Sequence, residues 1–181
     1  MATLSVSALR YAEAIFDLAV EGDTLDPWAG DLRAIADFIE QPDVSGILLS
    51  GRIPRDEKRR LIEAGLSGDV SPLALNLVRL LNDRGKLQIA RDVQRRYQEM
   101  LDDRRGIAHA TVTTAVALSD DERRAVTGKL SSITGKQVDI TSVVDESIIG
   151  GVVARIGDQL IDGSTRTRLL ALKRRLEGAA R

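Results

Sequence analysis

Covalent chemistry needs a nucleophile, a proton-transfer group or a metal-binding cluster, and this sequence supplies few candidates. It has no cysteine and one histidine, His109. That excludes thiolate nucleophiles, thiolate metal ligands and a disulfide framework. His109 falls in an alternating stretch that reads as a strand. A neutral imidazole there needs only a hydrogen-bond partner, whereas an acid–base or metal role needs partners that the sequence does not name. The carboxylates Asp145, Glu146, Asp158 and Asp162 can be read as an acid–base or cation set, or as turn and cap residues. Asp158 sits in a two-residue Gly157-Asp158 turn, and Asp162 precedes Gly163-Ser164, where it can help cap a helix. No acidic pair comes with the nucleophile or aromatic subsite of an enzyme. Gly150, Gly151 and Gly157 lack phosphate-loop spacing and strand–loop–helix order, so a bulge or a close backbone approach is the better reading. The expectation is no catalytic residue, no cofactor-binding residue, no metal site and no cofactor.

What remains are surfaces. The last segment carries Arg166, Arg168, Lys173, Arg174, Arg175 and Arg181 against Glu177 alone, with Leu169, Leu172 and Leu176 at helical spacing. Three readings stay open: a solvated face whose cations favour a helix C-terminus, a nucleic-acid contact, or a docking helix for an acidic partner. The nucleic-acid reading lacks interleaved aromatics and a strongly basic domain. Near the start, Tyr11, Ala12, Ile15 and Ala19 can be plain core. Part of that face, with the Leu77–Leu81 face, can also form a groove for a foreign amphipathic helix.

The bulk numbers fit such a role. The 181 residues are 43% hydrophobic with net charge −1, so there is a core to bury and no global field toward nucleic acid or lipid. Residues 1–105 carry 15 basic and 18 acidic side chains, while residues 106–181 carry 11 and 9, so the halves differ only mildly. No apolar run approaches the ~20 residues of a membrane span. The opening MATLSVSALRYAEA lacks a basic region and a long apolar core, and is expected to be mature protein.

The elements that position these surfaces follow from periodicity. A helix is expected over Ser5 to Val20, with Ala8, Tyr11, Ile15 and Leu18 on one stripe. Asp26-Pro27 reads as N-cap plus first-turn proline for a second helix, whose Trp28, Leu32, Ile35 and Ile39 share a face. Short helices follow at Asp43 to Leu49 and after Pro54. Gly65 and Gly68 weaken the end of the latter. Ser71-Pro72 repeats the cap device, and the wide apolar face of Leu73, Leu77, Leu80 and Leu81 suggests the middle of a bundle. A sixth helix over Lys86 to Asp103 places Ala90, Val93, Tyr97 and Met100 inward. After Gly106 the period becomes two: Ala108 to Val116 reads as a strand. Ser119 to Glu122 is a capping box, and Val126, Leu130 and Ile133 form its helix's buried stripe. Val138 to Ser142 reads as a strand, Ile148 to Ile156 as another, Gln159 to Asp162 as its hairpin partner, and Ser164 as the cap of a last helix. The fold class is α+β, mostly α. A six-helix bundle over 1–105 is followed by a mixed domain over 106–181 of order β-α-β-β-β-α.

Three stretches carry a family resemblance. They are RYAEAIFDLA (Arg10 to Ala19), NDRGKL (Asn82 to Leu87) with Tyr97 ten residues on, and DESIIGGVVARIGDQLIDGSTRTRLLAL (Asp145 to Leu172). In this order they resemble the δ subunit of bacterial F-type ATP synthases, a family whose mitochondrial member is the oligomycin-sensitivity-conferring protein. The resemblance covers essentially the whole chain, and Lys86, where arginine is frequent, is a small departure. It implies a non-catalytic stator subunit that links the catalytic head to the peripheral stalk and resists torque during proton-driven ATP synthesis. It implies that the bundle holds the N-terminal helices of the α subunits through its first and fifth helices, with Tyr11, Ala14, Ile15, Leu18, Leu77, Val78 and Leu81 as candidates. It implies that the second domain holds the C-terminal helices of the b subunit, with Arg166, Leu169, Leu172, Lys173 and Leu176 as candidates. No nucleic acid and no membrane insertion are implied, and the expected location is peripheral, on the cytoplasmic face of the bacterial plasma membrane. The competing class is a nucleic-acid-binding adaptor using the basic last helix.

Overall fold

The computed structural model describes residues 5–145, 148 and 150–164. The chain divides into two compact units, Met1–Leu101 and Asp102–Arg181. The division falls about one helical turn before the expected boundary at 105/106, because the end of the sixth helix is tied to the second unit's sheet. The Asp102 carboxylate lies 3.0 Å from His109 Nε2, and Lys136 Nζ donates to Asp103 at 2.7 Å.

In the first unit the helices are α1 (Val6–Glu21), α2 (Leu25–Glu40), α3 (Pro42–Leu48), α4 (Arg55–Leu66), α5 (Pro72–Asp83) and α6 (Ala90–Arg105). A 3-10 turn at Leu87–Ile89 precedes α6, so that helix proper starts later than Lys86. α2 begins earlier than Asp26-Pro27 implied: Thr24 is its cap, and Asp26 and Pro27 lie inside its first turn. Proline is tolerated there because a first-turn N–H has no intrahelical acceptor. Ser71 does cap α5, its hydroxyl accepting from Ala74 N at 3.2 Å, while the Asp31 carboxylate accepts from Ser71 N at the same distance.

One apolar cluster holds these helices together. α1 contributes Ala8, Ala12, Ile15, Phe16 and Ala19, α2 contributes Trp28, Leu32, Ile35 and Ile39, and α5 contributes Ala74, Leu77, Val78 and Leu81. From α6, Leu101 rather than Met100 takes the innermost position, with Ala90, Val93 and Tyr97. The Tyr97 ring meets Phe16 edge-on at 5.5 Å, and its hydroxyl donates to the Leu25 carbonyl at 3.0 Å, so the buried polar tip is satisfied. The α5 face is narrower than its sequence suggested. Leu73 and Leu80 are 66% and 42% exposed, so this helix has an outer side and is not enclosed on all sides.

Gly65 has a packing reason. A Cβ there would stand 2.2 Å from Cε2 of Phe38, so the α2 ring occupies the space that any side chain on α4 would need. Across the surface, Arg91 of α6 bonds Asp37 at 2.7 Å and Glu40 at 2.6 Å, both on α2. The Arg91 hydrogen bond holds the Glu40 carboxyl below its usual range.

The second unit is a four-stranded sheet of order β2-β1-β3-β4. β1 (Ile107–Thr114) and β2 (Gln137–Val144) are parallel, joined by helix α7 (Asp120–Thr134); β3 (Val152–Ile156) pairs antiparallel with β1 and with β4 (Gln159–Asp162). Alternation sends Ala110, Val112 and Thr114 inward and His109 and Thr111 outward. Ala110, Val112, Val138, Ile140 and Ala154 pack against Leu130 of α7. The capping box forms: Ser119 Oγ accepts from Glu122 N at 3.3 Å, and the Glu122 carboxylate accepts from Ser119 N at 2.9 Å. That backbone bond, with the Ser119 hydroxyl, lowers the Glu122 pKa. Two expectations are corrected. The third strand starts at Val152, because Gly150 and Gly151 form a bend before it. Ile133 is 55% exposed, because it lines an open apolar cleft with Val152 and Ile161 of the sheet. Gly157 takes φ 55° in the β3–β4 turn, a value that favours glycine. The expected last helix lies outside the described residues.

Gly65→Ala should destabilise the protein by about 1–3 kcal/mol through overpacking, although alanine is the better helix former by about 1 kcal/mol. Phe38→Ala in the same chain should remove most of that penalty, measured by urea denaturation. Glu40→Gln should cost under about 1 kcal/mol at neutral pH. Because the folded pKa is depressed, the carboxylate's contribution is present above the ordinary glutamate range and lost as pH falls through the folded value. The denaturation curves of the two proteins should therefore converge in acid.

Candidate docking surfaces

The described chemical candidates occupy structural positions. His109 is 62% exposed, with Nε2 on Asp102 at 3.0 Å and Nδ1 3.9 Å from Asp139. Among the described residues no group of three or more His, Cys, Asp or Glu is arranged to hold a metal ion. Asp145 directly follows β2 and its N–H donates to the Thr114 carbonyl at 2.9 Å. Asp158 lies in the β3–β4 turn, and the Asp162 carboxylate accepts from Ser164 N at 2.8 Å. Glu146 lies outside the described residues.

The seven bundle candidates separate by depth. Ile15, Leu77, Val78 and Leu81 belong to the core, with Val78 at 0% and Leu81 at 1% exposure. In the chain by itself they are held within the bundle's apolar cluster. Tyr11 is half-buried, while Ala14 and Leu18 are exposed, Leu18 at 60%. These three residues stand at i, i+3 and i+7 and form the outer stripe of α1. The division follows from α1's own pattern: Ala8, Ala12, Ile15 and Ala19 point inward, and at 3.6 residues per turn Tyr11, Leu18 and Ala14 lie roughly 60°, 80° and 120° round the helix from Ala8, on its flank and outer side. On α5, Leu73 and Leu80 are the outward apolar side chains. Sequence reasoning placed both in the core, because an apolar stripe wider than the buried face looks the same in one dimension.

Beside the Tyr11 stripe, Lys86 Nζ donates to Ser7 Oγ at 2.7 Å. The pair pins the start of α1 to the junction after α5. Ser7, Arg10, Tyr11, Ala14 and Lys86 surround a shallow hollow of about 330 Å³.

The second unit has a cleft of its own. Val126, Leu130 and Ile133 of α7 face Val152, Ala154 and Ile161 across an apolar space of about 290 Å³. At the end of the sheet, Val116, Val143 and Val144 are 73%, 43% and 52% exposed. Val116 was read as the last residue of the first strand, which ends instead at Thr114, and Val143 and Val144 were not singled out from sequence. The signal available was the alternation continuing past Ser142 into two valines. The remaining candidates, Arg166, Leu169, Leu172, Lys173 and Leu176, lie outside the described residues. No helix among the described residues is long and apolar enough to cross a membrane.

Comparison with known proteins places this geometry. Residues 8–176 match the family described as ATP synthase delta (OSCP) subunit. A protein named ATP synthase subunit delta from Dehalococcoides mccartyi is 39% identical over 166 residues, covering 92% of this chain and 91% of its own. Its namesakes from Gemmatimonas aurantiaca and Desulfotalea psychrophila are 36% and 33% identical, covering 94% and 96% of this chain and 93% and 97% of their own. A chain in the cryo-EM structure of the Toxoplasma gondii mitochondrial ATP synthase hexamer shares the fold with a TM-score of 0.69 at 20% identity. The match spans 95% of this chain and 98% of that one.

Depth predicts how each candidate responds to truncation. Leu81→Ala should cost about 2–5 kcal/mol of folding stability, and Leu18→Ala should change it by no more than about 0.5 kcal/mol. Chemical denaturation of the two variants distinguishes a core residue from a surface one.

Proposed function

We propose, from the premise that this chain belongs to the ATP synthase delta (OSCP) subunit family, that it ties the catalytic head to the peripheral stalk. It is a structural subunit of the F-type ATP synthase; the complex, not this chain, is the enzyme. The proposed tether grips the N-terminal helices of the α subunits with its first unit and the C-terminal helices of the b subunit with its second. It works on the cytoplasmic face of the bacterial plasma membrane, peripheral to the proton-conducting part.

The observation that carries this reading is that the family match runs from residue 8 to residue 176 and so includes both units. A tether needs two grips, and a match confined to one unit would have supplied only one. The α1 stripe of Tyr11, Ala14 and Leu18 suits a foreign helix laid alongside it, because an amphipathic helix presents its own apolar residues at the same spacing. Ile15, Leu77, Val78 and Leu81 support that stripe from below. In the second unit Arg166, Leu169, Leu172, Lys173 and Leu176 are proposed to meet the b subunit. Torque from the central stalk is resisted by packed apolar area and charge complementarity, neither of which needs a bond-making residue.

A bridging assay tests the proposal. An immobilised fragment holding the C-terminal helices of the b subunit should retain the catalytic head only when the purified chain is added. Leu18→Glu puts a charge into the apolar contact and should weaken head capture at least ten-fold, while binding to the b fragment stays unchanged. A chain that binds neither partner, or binds both but never together, contradicts the tether.

A further inference from the structure

The hollow beside the α1 stripe is lined by groups with donor capacity that the fold does not fill. Its wall is Ser7, Arg10, Tyr11, Ala14 and Lys86, and among the described residues no carboxylate contributes to it. Lys86 spends one of its three N–H groups on Ser7 Oγ, at 2.7 Å, leaving two. With its oxygen accepting that bond, the Ser7 hydroxyl proton is free to turn outward. Arg10 is exposed and has no hydrogen-bond or ion-pair partner among the described residues; Glu13, one turn along, does not pair with it. A solvated cation is ordinary on a protein surface. Here, however, one cation is held in place by a second element, another stands beside it, and the space between them is already formed.

We propose that this hollow receives a carboxylate carried on an amphipathic helix lying along α1, and that this contact sets the register in which the helix docks. The inference rests on the reading of the α1 stripe as a docking surface. Charge complementarity names the occupant: two cations and a wall of spare donors suit an ionised carboxylate, whose oxygens only accept. The apolar residues that continue from the hollow, Tyr11, Ala14 and Leu18, suit the apolar face of the same helix. Arg10 and Leu18 are eight residues apart on α1, about 12 Å along the axis. A partner helix alongside should therefore carry an aspartate or glutamate about two turns from the apolar residue that meets Leu18. Apolar packing alone would let such a helix slide by a turn, whereas a charge seated between Arg10 and Lys86 fixes its position.

The test uses the full chain and a synthetic peptide of the N-terminal segment of the α subunit from the same complex, titrated by calorimetry at low and physiological salt. Arg10→Gln and Lys86→Gln should each weaken binding by about three- to ten-fold and flatten its salt dependence. Leu18→Ala should weaken binding with the salt dependence unchanged. A peptide with its acidic residues changed to their amides should bind the wild type and Arg10→Gln equally. If the peptide binds the wild type and both cation variants alike, the carboxylate anchor is overturned and the docking stripe stands. If it does not bind the wild type at all, the docking reading falls and the anchor falls with it.

Discussion

Ala8, Ala12 and Ala19 are wholly out of solvent on one side of α1, and the organisation of the first unit follows from that packing. Helix separation depends on the side chains at the contact, and alanine permits the closest approach short of glycine. With α1 seated on its alanines, Ile15 and Phe16 reach into the common core and Phe16 meets Tyr97 edge-on. The same seating turns Ala14 and Leu18 to solvent and leaves Tyr11 half-buried at the edge of the core. The face that a partner can use is thus decided by which face the bundle consumes. A larger residue at Ala12 would lift α1 and change both at once.

Polar contacts in the first unit serve position more than stability. Asn82 donates to the Arg55 carbonyl at 3.0 Å and Arg55 donates to the Asp83 carbonyl at 2.7 Å, locking α4 to the end of α5. Lys86 then fixes the junction to α1 through Ser7. Exposed pairs such as Arg91 with Asp37 and Glu40 contribute little individually, but they set which turn of one helix faces which turn of another. The described part of the second unit is one sheet and one helix. Its sheet is covered by α7 on one face, and the apolar cleft between Ile133 and Ile161 is accessible among the described residues.

Much of this was legible in one dimension. Helix starts at Ser71-Pro72 and Ser119 came from capping chemistry, which is local and therefore visible in sequence. The start of α2 was misplaced because Asp26-Pro27 can serve either at a cap or in a first turn, and only the neighbouring residues decide. Gly65 read as a weak helix end, whereas its cause is Phe38, twenty-seven residues away, and no local rule contains that contact. The outer stripe of α1 was half legible. Periodicity put Tyr11, Ile15 and Leu18 on one face, but the split between buried Ile15 and exposed Leu18 depends on where the other helices sit. The hollow at Lys86 was not legible at all, because it joins residues 79 positions apart.

The central proposal is mechanical: a subunit of this family that holds two other proteins in place, with the chemistry done elsewhere in the complex. The most direct measurement is ATP-driven proton pumping in membrane vesicles stripped of the chain and then given it back. The account predicts that stripped vesicles lose coupling, and that the added chain restores it without hydrolysing ATP itself. Full coupling in vesicles that contain none of the chain would contradict it.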